Sequence, residues 1–482
     1  MKNKSIRNNF LYSTAYQVLN VLISFVTAPY LSRVLGAEAI GVQSYTQSIQ
    51  QYFLMFAALG TFSYGSREIS MNRDDPYRRS KLFWEIELIV ISTTTIALLS
   101  YFAFIFLGSK YRIYYIVLSI GIFAGMFDIS WFFSGLEEFK LTVIRNTIFK
   151  LLGIICTFIF INQPEDLLLY MVIQMVSMLL SNLSLWPYLK GMLVKVNYRE
   201  FRFSPHLRET FIYFIPSIAT SVYTVLDKTL IGVITDSAAQ NGYYQQAEKV
   251  VNLAKSVVFS AINSVVGVRN AYLFYEKKYD EIQLRIKQSF DFIFFAGFAS
   301  CFGIMGIAKT FVPLFFGQGY EPVITLLYLF SPIIVVISIS NCLCYQYFTP
   351  CGKRKQSNYF LFAGSFVNLI LNLILIPHLG AYGAAIASVA AETVISILYV
   401  VYSKQYGNVR MLVSTGAKKM IAGFLMFIVV FSMNYIKMNS LMLVLLQIAV
   451  GAIVYVLFLI ILRDKWTWEF LKTAINKIKK SV

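Results

Sequence analysis

The sequence predicts an all-α integral membrane protein with about fourteen transmembrane helices. Of the 482 residues, 57% are hydrophobic and only 14% are charged, whereas a soluble domain carries roughly 25% charged residues. Apolar runs of about 20 residues, the length that crosses a bilayer, recur from one end of the chain to the other. The basic residues lie in short loops between these runs. The net charge of +18 therefore indicates membrane topology rather than nucleic-acid binding.

The predicted spans alternate with short loops in a way that fits one membrane topology. Their approximate limits are 10–32, 40–64, 83–107, 113–133, 141–162, 166–189, 209–234, 242–268, 288–308, 322–348, 357–377, 380–403, 416–436 and 439–462. Of the 42 Lys and Arg residues, five lie in loops opposite the N-terminus, and most of the others lie on the N-terminal side. Lys and Arg mark the cytoplasmic side. We therefore expect a multi-pass membrane protein with both termini in the cytoplasm.

An internal repeat relates two helix joints. Setting Gly41 on Gly242 aligns the joint of helices 1 and 2 with the joint of helices 7 and 8, at an offset of 201 residues. Both joints are short, and both enter a polar helix through glycine. Each half then contains six helices, and the two halves have the same orientation in the membrane, as in transporters built from parallel repeats. We predict an N-terminal lobe over 1–205 (helices 1–6), a C-terminal lobe over 206–403 (helices 7–12), and a segment over 404–482 with helices 13 and 14 and a basic cytoplasmic tail.

Polar side chains inside these spans predict a hydrated cleft, because polar groups are costly in hydrocarbon. On helix 8, Gln245, Glu248, Asn252 and Lys255 fall on one helical face. The repeat offset places Gln47 and Gln51 of helix 2 at the positions of Glu248 and Asn252. Helices 1 and 7 carry further polar residues, which are Asn20, Ser24, Thr27, Ser217, Ser221, Thr224, Asp227 and Lys228.

A structural interpretation of the same residues stays open. Ser, Thr, Asn and Gln often only join helices by hydrogen bonds. Asp227 with Lys228, or Glu248 with Lys249, forms a structural ion pair in this interpretation. Lys255 lies near mid-membrane with no adjacent acid on its helix, which favours the cleft. For Arg33, Lys150, Arg145 and Glu392 we expect positions closer to span ends, where snorkelling is a sufficient explanation.

Enzymatic motifs are missing from the sequence. It holds no phosphate loop, no His-Glu metal motif and no Gly-x-Ser-x-Gly nucleophile motif. The five cysteines suggest no disulfide framework, and the Cys342–Cys344 pair has no histidine nearby. We expect no catalytic residues, no cofactor and no metal. A membrane glycan polymerase or acyltransferase remains an alternative from another class, although the predicted outer loops are very short for such an enzyme.

One segment resembles a known family. Trp131-Phe132-Phe133-Ser134-Gly135-Leu136-Glu137, after Asp128 at the end of helix 4, resembles the signature of the polysaccharide repeat-unit (Wzx-type) flippases. These belong to the multidrug/oligosaccharidyl-lipid/polysaccharide exporter superfamily. Further stretches are similar to other segments of the family; they are Gly60 to Glu68, Leu226 to Lys249, and Asn368 to Ala384.

The resemblance implies two lobes around a cationic cavity, alternating access, and a lipid substrate of undecaprenyl pyrophosphate bearing a short glycan. On this basis we predict substrate-binding roles for Lys255, Lys228, Arg33, Lys249, Lys150 and Asn252. We predict gating or coupling roles for Asp227, Glu248, Asp128 and Arg67. Implied partners are the lipid-linked oligosaccharide, the phospholipid membrane, a glycan polymerase with chain-length machinery, and a coupling ion, H⁺ or Na⁺.

Two other transporter functions fit the same superfamily. A multidrug or cation antiporter requires a more apolar cavity with a carboxylate ion site, for which Asp227 and Glu248 are candidates. A flippase for the peptidoglycan lipid precursor requires a similar cationic path. The segment at Trp131 favours the polysaccharide flippase over the antiporter.

Overall fold

The computed structural model describes residues 6–108, 110–263, 272–274, 276–470 and 472–473, and these residues form helices, turns and loops without a strand. Ten helical segments among them are long and apolar enough to cross a membrane. Those segments are Pro76–Phe106, Arg112–Gly135, Phe139–Phe160, Pro164–Leu189, Tyr279–Phe316, Glu321–Phe348, Arg354–Leu379, Ala381–Tyr402, Lys404–Tyr435 and Ser440–Ile461. The predicted all-α membrane fold is confirmed.

Contacts between residues divide the chain into two compact units, Met1–Gly242 and Tyr243–Val482. The division predicted at residue 205, with a third segment from 404, stays a prediction. The helices of the first unit are α1 (Ile6–Ala58), α2 (Thr61–Met71), α3 (Pro76–Phe106), α4 (Arg112–Gly125), α5 (Ser130–Gly135), α6 (Phe139–Phe160), α7 (Leu167–Leu183) and α8 (Phe203–Ile234). Helix α9 (Ala238–Asn263) begins in the first unit and continues into the second.

The second unit contains the rest of α9 and seven more described helices. They are α10 (Tyr279–Phe316), α11 (Glu321–Phe330), α12 (Ile333–Leu343), α13 (Arg354–Leu379), α14 (Ala381–Tyr402), α15 (Val409–Ser432) and α16 (Ser440–Ile461). Helix α10 packs against α15, α16 and α12, and α14 packs against α13, α12 and α11. Each of the fourteen predicted spans overlaps a described helix.

Helices 1 and 2 of the prediction are joined without a loop. Both belong to α1, which is 53 residues long and changes direction at Gly36, where φ is 76°. A positive φ costs a glycine nothing, so one residue can replace a turn. A second glycine with positive φ, Gly60, separates α1 from α2. The predicted second span to residue 64 is therefore too long, because α2 is a separate short helix.

The fourth span is interrupted at the residues that carry the family resemblance. Helix α4 ends at Gly125, and α5 begins at Ser130, where the Asp128 carboxylate accepts the Ser130 backbone N–H at 3.0 Å. Two side chains near the end of α7 satisfy carbonyl groups freed by the break. Asn182 donates to the Ala124 carbonyl at 2.8 Å, and the Trp186 indole donates to the Phe127 carbonyl at 3.1 Å. A broken helix at membrane depth requires such replacements.

Aromatic packing fixes this break against α3. Trp131, Phe132 and Phe133 are each at most 2% exposed. The Phe83 ring of α3 stacks on Trp131 with centroids 5.7 Å apart, and contacts Phe132 edge-on at 5.1 Å. Leu82, Ile86 and Ile129 complete the same buried cluster. The segment that resembles the family signature is thus a packing core, and α3 lies directly on it.

In the second unit, one buried lysine joins helices α10 and α15. The Lys419 ammonium on α15 is fully buried and lies 2.8 Å from Asp291 of α10 and 3.1 Å from Asp464 after α16. It also donates to the Thr415 carbonyl at 2.8 Å. A buried charge with three partners holds the helices around it in a defined arrangement.

Candidate functional site

The predicted polar face of helix 8 is present on α9. Because α9 is continuous through Asn263, Gln245, Glu248, Asn252 and Lys255 lie along one side of it. The Asn252 side chain is exposed, and the other three are half-buried. Lys249, the neighbour of Glu248, is also half-buried. The structure brings four predicted site residues (Glu248, Lys249, Asn252 and Lys255) onto about two turns of this helix.

Lys255 has an acidic neighbour that the sequence did not reveal. The Glu392 carboxyl on α14 is 4% exposed, and the Lys255 charge acts on it. Glu392 lies halfway along α14, so the expectation that it snorkels near a span end is wrong. The same expectation is wrong for Arg145, which is 7% exposed and donates to the Ser181 carbonyl and to Asn146. Both side chains are held between helices within their own unit.

Asp227 and Lys228 lie on α8 in the first unit. Asp227 is 2% exposed, and Lys228 is half-buried. The backbone carbonyl of Lys228 accepts a hydrogen bond of 2.9 Å from the buried Asn241 amide. One residue further, the Thr229 hydroxyl pairs with Ser48 of α1 at 2.9 Å. This part of α8 is therefore bound closely to the second half of α1. Of the helix 1 and 7 polar residues, the side chains of Asn20, Ser217, Ser221 and Thr224 lie outside the described residues.

The polar residues predicted to face the cleft from helix 2, Gln47 and Gln51, have different surroundings. Gln47 donates to the side-chain oxygen (Oε1) of Gln174 on α7 at 3.1 Å, and Gln43 donates to the same oxygen at 3.0 Å. Gln50 donates to the Leu118 carbonyl of α4 at 2.7 Å. These amides join helices, as the structural interpretation expected. Gln51 is exposed.

Arg33 and Lys150 lie on two helices that contact each other, α1 and α6. Arg33 is exposed and precedes the Gly36 bend by three residues. Lys150 is half-buried in the middle of α6, so the expectation that it lies near a span end is wrong. The Tyr30 hydroxyl fixes this pair of helices by donating to the Ile161 carbonyl at 2.6 Å. The roles predicted for Arg33 and Lys150 in substrate binding stay predictions.

Asp128 and Arg67, predicted for gating or coupling, occupy different places. Asp128 caps α5 at the break in the fourth span, as described above. Arg67 lies on α2, is half exposed, and donates to the Tyr213 hydroxyl of α8 at 3.2 Å. Arg67 thereby connects the short helix after the second span to the start of α8.

Two small-residue contacts join the helix joints that the repeat relates. A Cβ added to Gly41 would overlap the Ala238 carbonyl oxygen, and a Cβ added to Gly242 would overlap the Ala37 carbonyl oxygen. The repeat offset relates Ala37 to Ala238 just as it relates Gly41 to Gly242. The contact of Gly41 with Ala238 is therefore repeated, with the two halves exchanged, by the contact of Gly242 with Ala37. We name this contact, formed by Ala37, Gly41, Ala238 and Gly242, the joint crossing.

Sequence reasoning missed three acidic or basic groups around α3. The His206 ring connects Glu85 to Tyr64, with Nε2 3.1 Å from the Glu85 carboxylate and Nδ1 2.6 Å from the Tyr64 hydroxyl. Glu87, two residues further, is fully buried. An available signal was the pair of acids inside the apolar run 82–90. In the described part of the chain, no three His, Cys, Asp or Glu side chains form a metal-binding group.

Comparison with known proteins identifies the family. Residues 6–266 match the model of the family described as polysaccharide biosynthesis protein. The chain belongs to this family. It is 24% identical to a candidate O-antigen transporter of Escherichia coli (strain K12), over 83% of this chain and 96% of that protein.

Solved structures of two kinds share the fold. The lipid II flippase MurJ, in an inward closed conformation, matches with a TM-score of 0.72 and 16% identity over 94% of this chain and 99% of that one. An inward-facing multidrug resistance transporter of the MATE family in the MOP superfamily matches with a TM-score of 0.62 and 15% identity, over 82% of this chain and 95% of that one. The predicted polysaccharide family is confirmed, and both kinds of structure share the fold of this chain. The protein is a multi-pass membrane protein.

Proposed function

We propose that this protein is a flippase for undecaprenyl-pyrophosphate-linked oligosaccharide repeat units. It moves them by alternating access from the cytoplasmic to the outer leaflet of a bacterial cytoplasmic membrane, for synthesis of capsule, O-antigen or another surface polysaccharide. Membership of the polysaccharide biosynthesis family and similarity to a candidate O-antigen transporter support this substrate class.

The observation that carries the proposal is the polar face at the middle of α9. The Asn252 amide is exposed, and Lys255 lies three residues further on the same side of the helix. An amide and an ammonium at that depth are costly in lipid, so this face requires water or a polar ligand. A lipid pyrophosphate bearing a glycan is anionic and hydrophilic, and an ammonium together with an amide matches both properties.

Other cations extend this path in the proposal. They are Lys228 on α8, Lys249 on α9, Arg33 on α1 and Lys150 on α6, and each is exposed or half-buried. We assign them to phosphate binding at successive stages of transfer. Asp227, Glu248, Asp128 and Arg67 are assigned to gating or coupling, because each lies beside a helix end, a helix break or a basic residue.

The membrane potential supplies a driving force in this proposal. An inside-negative potential favours outward movement of an anion by roughly 2.3 kcal/mol per charge per 100 mV. Transfer into liposomes should therefore accelerate when a potential negative on the donor side is imposed. An unchanged rate after the potential is dissipated would leave the flippase function standing and remove the potential as its driving force.

The deciding experiment compares substrates. The purified full-length protein is reconstituted in liposomes that carry a lipid-pyrophosphate-linked oligosaccharide, a peptidoglycan lipid precursor or an organic cation. The proposal expects transfer of the oligosaccharide lipid well above that of protein-free liposomes. Transfer of the peptidoglycan precursor alone would support that flippase instead, and efflux of the organic cation alone would support an antiporter. Elongation of the glycan would indicate a polymerase.

A further inference from the structure

Glu87 is a buried acid in the interior of the first unit. It lies on α3, its residue is 0% exposed, and no ion pair among the described residues includes it. The Trp131 indole N–H of the adjacent segment acts on its carboxyl as a donor, but no hydrogen bond of full geometry joins the two groups. Buried polar atoms are almost always well paired, so a carboxyl with this weak donor indicates a site with a function.

The surroundings of Glu87 are the core around the break in the fourth span. Glu87 lies one helical turn after Phe83, whose ring stacks on Trp131 at 5.7 Å. Asp128 precedes Trp131 by three residues, and its charge acts on Glu87. The Asp128 side chain is half-buried and caps Ser130 at 3.0 Å. Two acids thus approach each other across the contact between α3 and the junction of α4 and α5.

Two basic groups on the neighbouring elements bind partners other than Glu87. Asp128 is the charged group that acts on Glu87. His206 of α8 binds Glu85 at 3.1 Å, and Arg67 of α2 binds Tyr213 at 3.2 Å. The remaining charged residues of the elements packed on α3 include Arg33 and Glu38 on α1, Glu68 on α2, Arg112 on α4, and Arg208, Glu209, Asp227 and Lys228 on α8.

We propose that Glu87, together with Asp128, is a proton-binding site that couples proton movement to the packing of α3 on the α4–α5 junction. A fully buried carboxylate with an acidic neighbour and no cation is strongly disfavoured, so Glu87 is a neutral acid in this packing. The ligand is one proton, since a carboxyl pair without a third oxygen-bearing acid offers too few ligands for a metal ion. The coupling role rests on the proposed transport function.

Proton release follows from this geometry. When the contact opens to water, the O–H bond of the Glu87 acid breaks, and the proton passes to the Asp128 carboxylate or to water. Loss of that proton to water leaves two carboxylates side by side, which repel each other. The α3 contact is thereby weakened until a proton returns. Protonation and the closed packing of the Trp131 segment therefore favour each other.

Infrared spectroscopy of the full-length protein in lipid nanodiscs tests the site. At neutral pH the wild type should show a protonated carboxylic-acid band that shifts on ¹³C-glutamate labelling, and Glu87→Gln should lose it. Glu392→Gln and Glu85→Gln control for the other two buried glutamates discussed above, and both should leave the Glu87 band in place. Absence of a labelled band in the wild type, or its persistence in Glu87→Gln, overturns the proposal whatever the stability of the variants.

A transport measurement separates the site from the proposed function. Wild type and Glu87→Gln are reconstituted with the lipid-linked oligosaccharide, and the transfer rate is measured with and without an imposed pH gradient. The proposal expects the wild-type rate to change severalfold with the gradient and the Glu87→Gln rate to be insensitive to it. Transfer with equal gradient sensitivity in both proteins overturns the coupling but keeps the flippase. A Glu87-dependent infrared band without any oligosaccharide transfer keeps the proton site and removes the proposed function.

Discussion

Gly41 lies against the carbonyl group of Ala238, and its repeat partner Gly242 lies against the carbonyl group of Ala37. The joint crossing is therefore symmetric in sequence, because an offset of 201 residues exchanges its two halves. Small residues allow helix backbones to approach this closely in membranes. In the proposed topology the crossing lies at the outer ends of helices 1, 2, 7 and 8.

Adding a methyl group at Gly41 or Gly242 should open the joint crossing. Gly41→Ala and Gly242→Ala each place a Cβ on a backbone carbonyl that cannot rotate away. We expect each to destabilise the protein by about 1–3 kcal/mol, the usual cost of overpacking. Thermal unfolding in detergent measures this. Gly125→Ala is the matched control, since its Cβ would lie 3.7 Å from the Leu54 side chain, an ordinary contact. Equal melting temperatures for all three variants would contradict the close approach.

The Tyr64–His206–Glu85 chain should stabilise the start of α8. Burial raises the pKa of Tyr64 to about 12, so its hydroxyl keeps its proton at neutral pH and can donate to His206 Nδ1. The Nε2 hydrogen then points to Glu85. Tyr64→Phe leaves a buried ring nitrogen unpaired and should cost about 1–3 kcal/mol.

Thermal unfolding of Tyr64→Phe, compared with Tyr213→Phe, checks this chain. Tyr213 is bound by the exposed Arg67, so its hydroxyl should contribute less. A double-mutant cycle between Tyr64→Phe and Glu85→Gln should show that the two losses are not additive. Additive losses would mean that His206 does not connect the two groups.

Removing the Lys419 charge should destabilise the protein far more than removing the charge of the adjacent Lys418. Lys419→Met leaves Asp291 and Asp464 without their shared cation, and a broken buried ion pair costs about 3–5 kcal/mol. Lys418→Met is the matched control, because Lys418 is exposed and donates only to the Arg463 carbonyl. Chemical denaturation of both variants provides the comparison. Adding Asp291→Asn and Asp464→Asn to Lys419→Met should restore part of the lost stability.

The ion pair between Lys110 and Asp236 predicts a pH-dependent reactivity. The two side chains are 2.8 Å apart in loops of the first unit, and the pairing raises the pKa of Lys110 and lowers that of Asp236. Both side chains are charged, and the ion pair is intact, at any pH between the lowered pKa of Asp236 and the raised pKa of Lys110. It is lost as the pH falls through the lowered pKa of Asp236 or rises through the raised pKa of Lys110.

Acylation of Lys110 at mildly alkaline pH, followed by mass spectrometry, measures this effect. Asp236→Asn should increase the acylation rate of Lys110, because more of its amine is then unprotonated. Lys309, which is exposed and lies over the Tyr435 ring, is the internal control. A rate at Lys110 that is unchanged relative to Lys309 would show that the pair does not form in solution.

Much of the fold follows from the sequence because the bilayer restricts it. Fourteen spans were predicted from apolar runs of bilayer length, and each overlaps a helix of the structure. The alignment of Gly41 with Gly242 indicated the two joints that meet in the joint crossing. The bend at Gly36 was not predicted, since a helix that turns at a single glycine leaves no loop composition to detect.

Contacts between helices were not predictable in the same way. Helical spacing places Gln47 on a face, but only the fold shows that Gln174, far along the chain, occupies that face. The Lys255 charge on α9 likewise acts on Glu392 of α14, and the Tyr244 hydroxyl of α9 pairs with the Ser388 hydroxyl of α14 at 3.3 Å. Glu87 was visible as an acid in an apolar run. Its lack of a cation depends on where His206 and Arg67 are directed, which periodicity does not encode.

The most direct test of the account is oligosaccharide-lipid transfer by the wild type, Lys255→Ala and Lys140→Ala in liposomes. Lys140 is an exposed lysine at the start of α6, so its loss controls for a reduced positive charge. The account predicts transfer by the wild type and Lys140→Ala, and a decrease of at least tenfold in Lys255→Ala, which corresponds to about 1.4 kcal/mol. Equal transfer by all three proteins would remove Lys255 from the substrate path, and no transfer by the wild type would contradict the flippase function itself.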